Sequence, residues 1–137
     1  MSFAFADLNW LAIVVSIVVG QILSTVWFTV IFGEPWAREY GASSSQEHTK
    51  ELPFYTYIVG ILSTAVLTLT IALLQKSLSI STVASALSLG LTLAIGICVA
   101  TILPGQAFLK RYRVFAIAAG SQAVLILVIS IILALWQ

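Results

Sequence analysis

The chain has 137 residues, of which 61 % are hydrophobic and 8 % are charged, and its formal net charge is +1. Ordinary soluble domains carry about 25 % charged residues, so a soluble fold of this length could not cover so much apolar surface. The small net charge, without a basic or acidic run, excludes a typical nucleic-acid-binding protein. The composition therefore predicts one all-α domain whose solvent is the lipid bilayer.

Four long apolar runs follow one another along the chain, and none contains Asp, Glu, Lys, Arg or His. They cover residues 8–32, 54–74, 80–103 and 114–136. As helices, these runs reach roughly 31–38 Å, which is enough to cross a hydrocarbon core of about 30 Å. A helix also satisfies every backbone polar group within its own segment, as lipid requires. We therefore predict a four-helix membrane bundle forming a single transmembrane domain.

Helix-breaking residues separate the runs. Pro35 follows the first run, Pro53 precedes the second, and Pro104 with Gly105 is expected to end the third. Because the connection at 75–79 is short, we expect the second and third spans to be antiparallel neighbours.

The longest connection, the polar loop at 33–53, is predicted to lie in the cytoplasm. Residues 35–40 are expected to form one helical turn in the headgroup layer. Ser44 and Glu47 have the spacing of a capping box, in which each side chain bonds the other residue's backbone N–H.

Basic residues are divided unevenly between the two sides of the predicted bundle. Five lie in the loops 33–53 and 104–113, and only Lys76 lies on the opposite side. Because Lys and Arg concentrate in cytoplasmic loops, this pattern places both termini outside. Aromatic residues near the ends of the spans are expected to anchor the protein at the two interfaces: Trp10, Trp36, Tyr40, Tyr112 and Trp136.

Small residues recur at every fourth position in the spans, which places them on common helix faces. Lipid gives helices no hydrophobic drive to associate, so such faces promote packing by letting backbones approach closely. The third span carries two nearly opposite rows, and we expect it to be either the centre of the bundle or an element shared with another protomer. The predicted packing residues are Ser16, Gly20, Gly60, Thr64, Ser88, Gly90, Thr92, Gly96 and Gly120.

Two amides, Gln21 and Gln122, lie at nearly the same depth, about 20 Å from the outer end of their spans. An unpaired amide in hydrocarbon is costly, so each should face protein or water. One interpretation is structural hydrogen bonding, between the two amides or to hydroxyls and carbonyls. The other is that they line a polar pocket or a solute path. Ser24 and Asn9 complete the intramembrane polar candidates.

The sequence contains no phosphate-binding loop, dinucleotide fingerprint or zinc motif. Its single histidine, His48, lies in the polar loop beside Glu47 and Glu51, where a solvated loop is favoured over a weak metal site. We therefore expect no enzyme activity, no cofactor and no bound metal.

Short motifs occur along the chain: residues 9–12 read Asn-Trp-Leu-Ala, residues 27–28 read Trp-Phe, residues 32–36 read Phe-Gly-Glu-Pro-Trp, and residues 114–122 end in Ala-Ala-Gly-Ser-Gln. They resemble the bacterial domain-of-unknown-function family 1761. Its members begin with an Asn-Trp pair, carry a Leu-Trp-Tyr segment, end the first helix on Phe-Gly-Lys-x-Trp and close on an Asn-Ala-Gly-Tyr-Gln-type helix. Glu34 stands here in place of the Lys. Residues 28–30 read Phe-Thr-Val where the family has Tyr-Ser-Pro. The resemblance implies a four-span bacterial membrane protein without an established activity. It singles out Asn9, Trp10, Trp27, Gly33, Trp36 and Gln122, and it assigns them no role.

Three functions are compatible with these observations. The favoured hypothesis is a non-catalytic protein of the bacterial inner membrane, acting by helix–helix association with itself or another membrane protein. The alternative is a transporter or oligomeric pore for a small neutral solute, lined by Gln, Ser and Thr. A water-accessible cavity that reaches the amides would favour this alternative. The third is an interface enzyme that uses His48, Glu47 and Glu51.

Overall fold

The computed structural model describes residues 5–136, and all regular secondary structure within that range is helical. Seven α-helices, a short 3-10 turn and two π-helical segments make up the structure of this range. The 3-10 turn, Phe5–Asp7, precedes the first α-helix. One π-helical segment, Trp27–Ile31, continues the first α-helix, and the other, Ala94–Val99, joins the fifth α-helix to the sixth. In chain order the α-helices are α1 Trp10–Val26, α2 Gly33–Glu39, α3 Ser45–Glu51, α4 Phe54–Ser77, α5 Val83–Leu93, α6 Ala100–Phe108 and α7 Tyr112–Leu135. Because α1 and the π-helical segment after it form one continuous helix, Trp10–Ile31, the label α1 covers both below.

Four continuous helices of 22 to 26 residues are long and apolar enough to cross a membrane. They are Trp10–Ile31, Phe54–Ser77, Val83–Phe108 and Tyr112–Leu135. The predicted all-helical class with four candidate membrane spans is confirmed.

The third span continues past Pro104, contrary to the prediction that it ends there. Proline cannot donate the helical hydrogen bond, and neighbouring hydroxyls or π-helical adjustments can accommodate this loss in a membrane helix. A π-helical segment, Ala94–Val99, lies five residues before Pro104 in this span.

The centre of the bundle is α7, not the third span. The last span packs against α1, α4, α5 and α6, and 44 % of it is buried, compared with 17 % of the third span. The third span packs substantially against α7 alone. Its contact runs through one small-residue row: a Cβ on Gly90 would lie 3.1 Å from both Leu127 Cδ2 and Ser130 Oγ. The opposite row, which includes Ser88, Thr92 and Gly96, is exposed.

The short connection after α4 does not make α4 and α5 neighbours, because α7 lies between them. Near the end of α4, Gln75 donates its Nε2 to the Ser130 carbonyl of α7 at 2.9 Å. The chain then reverses through Ser79, whose φ is 52°. The loop therefore leads the third span to the far side of α7, where the row at Gly90 fits.

The two ends of the described chain meet at one side of the bundle, called the terminal side below. Asn9 caps α1 by accepting the Ala12 N–H at 3.1 Å, and its Nδ2 donates to the Trp136 carbonyl at 2.6 Å. Asn9 is therefore a helix cap rather than an intramembrane polar group. The opposite side, called the basic side, holds α2, α3 and the turn between α6 and α7.

The apolar core occupies the half of the bundle nearer the terminal side. Its residues are Leu8, Ala12, Ile13, Ile71, Ala72, Ala94, Leu125, Ile126, Ile129 and Leu133. The candidate site lies in the other half, nearer the basic side.

Candidate ligand-binding cavity

The helices α1 and α4 pack tightly near the core and diverge towards the basic side. At Gly20 the two helices are very close, because a Cβ there would lie 2.9 Å from Thr64 Cγ2 and 3.0 Å from Leu125 Cδ1. Towards the basic side of this contact, α4 is exposed from Phe54 to Ser63, apart from Gly60, which is half-buried. The two helices thus form a cleft that widens towards the basic side.

This cleft holds a cavity of about 510 Å³, a size typical of small-molecule sites, which span about 300–1,000 Å³. The charged residue types Asp, Glu, Lys and Arg are absent from its described lining. Its walls come from α1 and α4, its deep end from α7, and its basic-side cover from α2 and α3. The lining residues are Gln21, Ser24, Thr25, Phe28, Thr29, Trp36, His48, Thr49, Leu52, Thr56, Tyr57, Gly60, Ser63, Thr64, Leu67, Gln122 and Leu125.

Both predicted amides reach this cavity, but their bonding differs. Gln21 Nε2 donates to the Gly60 carbonyl at 2.9 Å and to Thr64 Oγ1 at 2.6 Å, and so joins α1 to α4. Gln122 makes no hydrogen bond to any residue in the range 5–136 and is only partly buried. Gln21 therefore fits the structural interpretation, whereas Gln122 presents a free donor and acceptor to the cavity.

Trp27 lies behind the cavity and fastens α1 to α7. Its Nε1 donates to the Ile117 carbonyl at 3.0 Å, and a Cβ on Gly120 would lie 3.2 Å from its Cζ2. The indole thus packs where α7 carries no side chain. The packing role predicted for Gly120 corresponds to this contact.

A series of ring contacts runs from the cavity to the basic side, with the first two pairs tilted and the last pair stacked. The ring centroids are 4.7 Å apart between Phe28 and Trp36, 5.0 Å between Trp36 and Tyr40, and 5.4 Å between Tyr40 and His48. Trp36 is half-buried in this series and lines the cavity, so it differs from the predicted interface anchor. The other four anchors, Trp10, Tyr40, Tyr112 and Trp136, are exposed.

Short polar contacts hold α2 and α3 over the cavity. Glu34 accepts the Ser45 N–H at 3.0 Å, and Gly33 lies so close to Ser45 that a Cβ there would be 2.5 Å from its Oγ. On the other flank, Arg111 donates to the Glu39 carbonyl at 2.9 Å, and its guanidinium lies 5.3 Å from the Tyr40 ring centroid. Ser45 also donates its hydroxyl to the Thr29 carbonyl at 3.3 Å, so the pair α2–α3 is fixed to the end of the first span as well as to the start of α7.

The helix α3 begins with a variant of the predicted capping box. Ser44 accepts the Glu47 N–H at 3.2 Å, but the Glu47 carboxylate bonds the hydroxyl and the N–H of Ser43 instead of Ser44. These hydrogen bonds stabilise the carboxylate, so they hold the pKa of Glu47 below its ordinary value.

Because the fold stabilises the charged form of Glu47, this carboxylate contributes to the stability of α3 at neutral pH. That contribution is lost as the pH falls through the pKa of Glu47 in the folded protein. We expect the hydrogen-exchange protection of the first turn of α3, corrected for intrinsic rates, to decrease a few-fold on acidification. In Glu47→Gln the protection should already be low at neutral pH and should vary less with pH. Glu51→Gln, at an exposed position of the same helix, is the control, and an equal loss in both variants would contradict the capping role.

His48 and its two acidic neighbours, Glu47 and Glu51, do not form a cluster in the structure. No group of three His, Cys, Asp or Glu residues in the described part of the chain is placed to hold a metal ion. His48 stacks on Tyr40, Glu47 bonds Ser43, and Glu51 is exposed, so these three side chains do not converge on one point.

A family model described as "Protein of unknown function (DUF1761)" matches residues 11–134. The chain belongs to the DUF1761 family. No curated protein and no solved structure matches the chain. In this DUF1761 protein, most residues singled out by resemblance lie at contacts between helices or in the cavity wall: Trp27 packs on Gly120, Gly33 lies against Ser45, and Gln122 faces the cavity. Trp10 is the exception, because it is exposed.

Sequence reasoning missed most of the cavity wall, including Phe28, Tyr57 and Ser63. The signal was present as a helical period: positions 21, 24, 25, 28 and 29 lie on one face of α1, and positions 56, 60, 63, 64 and 67 lie on one face of α4. Both faces mix hydroxyl and apolar residues, which looks like an ordinary packing face in a membrane helix.

Proposed function

We propose that this DUF1761 protein is a membrane-embedded binding protein that holds a small neutral molecule in the cavity between α1 and α4. Gln122 is the observation that carries the proposal. Its amide has no partner among residues 5–136 and borders a cavity of about 510 Å³. An unpaired amide within the membrane is costly, and a bound molecule with a hydrogen-bonding group would offset that cost.

The closed end of the cavity favours binding over conduction. On the side of the termini it stops at Leu125, beyond which lies the packed core with Ile71 and Ile129. A single chain of this form provides a blind pocket rather than a continuous path. We therefore propose a binding protein rather than a pore. Transport of the bound molecule across the membrane would require the helices to rearrange.

Self-association remains the second candidate function, and a separate surface favours it. The outer face of the third span carries Ala84, Ser88, Thr92, Gly96 and Ala100, all exposed. Such a row allows close approach of another helix in lipid, so it is suited to a contact with a second copy or a larger complex. We also propose, from the positive-inside bias, that the basic side faces the cytoplasm of a bacterium.

Native mass spectrometry of the protein, extracted gently from its own membrane, tests both candidates together. We expect a reproducible small non-lipid mass on the wild-type protein. Ser24→Trp fills the cavity wall and should remove this mass. Ser88→Trp makes the same change on the exposed outer face and should retain it.

The subunit count in the same spectra tests the second candidate, because Ser88→Trp should lower it and Ser24→Trp should not. Circular dichroism shows whether each variant remains helical. Wild-type spectra that contain lipid adducts alone, unchanged by Ser24→Trp, would contradict the binding role.

A further inference from the structure

We infer that the ligand of this cavity is an uncharged, lipid-soluble molecule that enters sideways from the bilayer between α1 and α4, and that Gln122 binds its polar group. This inference rests on the proposed binding function and specifies the ligand class, the entrance and the recognising residue.

The opening of the cavity lies within the apolar zone of the bundle. Thr25 and Thr29 on α1, and Tyr57 and Ser63 on α4, line the cavity and are also exposed, so they border its mouth. Ser63 is nine residues beyond Phe54, the first residue of α4, which places it about 14 Å along the helix axis. At that depth the mouth faces lipid rather than water.

The route from the basic side is covered. Trp36, His48 and Leu52 lie across that end of the cavity. The covering helices are held by the Glu34 contact with Ser45 and by the bond from Arg111 to the Glu39 carbonyl. A water-soluble ligand would have to displace these contacts, whereas a molecule dissolved in the bilayer meets an existing gap.

The lining selects against charge and favours aromatic or flat molecules. Within the described residues the lining offers no Asp, Glu, Lys or Arg to pair with an ion, and its one histidine, His48, is stacked on Tyr40 at the basic-side end. An unpaired ion in such a site is strongly disfavoured. Phe28, Trp36 and Tyr57 supply aromatic surface. The free Gln122 amide can donate to a carbonyl and accept from a hydroxyl or an amide. The class is therefore a neutral aromatic or similarly flat compound that carries one such group.

Benzophenone is a suitable probe because it is neutral, aromatic and lipid-soluble, and its carbonyl accepts a hydrogen bond. On irradiation the excited ketone takes a hydrogen atom from a nearby C–H group, and the two radicals combine into a C–C bond with an alcohol at the former carbonyl. The full-length protein in phosphatidylcholine vesicles is irradiated with it, and adducts are located by peptide mass spectrometry. The anionic analogue 4-benzoylbenzoate is used in parallel.

We expect benzophenone adducts at cavity residues such as Phe28 and Tyr57, and about tenfold fewer with the anionic analogue or in Gln122→Leu. Gln106→Leu, a half-buried glutamine in α6 outside the cavity lining, should label like the wild type. Ser63→Trp, which obstructs the mouth, should slow labelling. Glu34→Ala, which loosens the cover by removing the acceptor of the Ser45 N–H and lies outside the cavity lining, should not accelerate it.

The outcomes separate this inference from the function on which it rests. Adducts spread evenly over lipid-facing positions, such as Leu91 and Ile95, would overturn the binding function itself. Cavity labelling by the anionic analogue at the benzophenone level would leave a binding cavity but refute the neutral class. Full labelling of Gln122→Leu would remove Gln122 as the recognising residue. Acceleration in Glu34→Ala with no effect of Ser63→Trp would place the entrance at the basic side.

Discussion

Gly20→Leu is expected to force α1 and α4 apart and to destabilise the bundle by roughly 3 kcal/mol, at the upper end for overpacked cores. The first added carbon would already lie 2.9 Å from Thr64 Cγ2 and 3.0 Å from Leu125 Cδ1, and Ile129 Cδ1 is 3.9 Å away. Thr64 cannot simply rotate, because its hydroxyl accepts from Gln21 and donates to the Gly60 carbonyl at 3.0 Å. The substitution therefore strains the packing and the polar bridge together.

The measurement is thermal unfolding in mild detergent micelles, followed by circular dichroism. Gly105→Leu is the matched control, because a Cβ at Gly105 meets nothing within 4 Å. Its effect should stay within about 0.5 kcal/mol, as for most exposed substitutions. Equal melting of Gly20→Leu and wild-type protein would show that α1 and α4 do not approach closely at this point.

Trp27→Ala is expected to destabilise the bundle by roughly 2–4 kcal/mol, less than for a fully buried tryptophan because the ring is partly exposed. The change empties the space over Gly120 and leaves the Ile117 carbonyl without its indole donor. Trp27→Phe retains most of the ring but lacks the N–H group, so it should cost only about 1 kcal/mol.

Trp10→Ala is the control, because it also removes an indole from α1 but at a position that is 52 % exposed and therefore loses little packing. The melting temperature of this variant should differ little from that of the wild type. If Trp27→Ala and Trp10→Ala shift the melting temperature equally, Trp27 does not join α1 to α7. If Trp27→Phe is as unstable as Trp27→Ala, the hydrogen bond contributes more than the packing.

Part of the candidate site could be predicted from the two amides alone. Gln21 and Gln122 stood out because polar side chains are rare in apolar spans, and both line the cavity. Their different roles depend on neighbours that are distant in sequence: Gln21 meets Gly60 and Thr64 across 39 and 43 positions, respectively. Whether Gln122 has a partner could be decided only after α1 and α4 had been placed beside α7.

The sequence by itself determined the helical class, the four spans and the family, because apolar run length and short motifs are local properties. Tertiary structure decided that α7 is central, that α4 and α5 are not neighbours, and that only one row of the third span packs. In lipid, a face that meets another helix and a face that meets acyl chains are both apolar and can both carry small residues. The period of a helix therefore reveals its faces, and only the assembled bundle shows which face each neighbour covers.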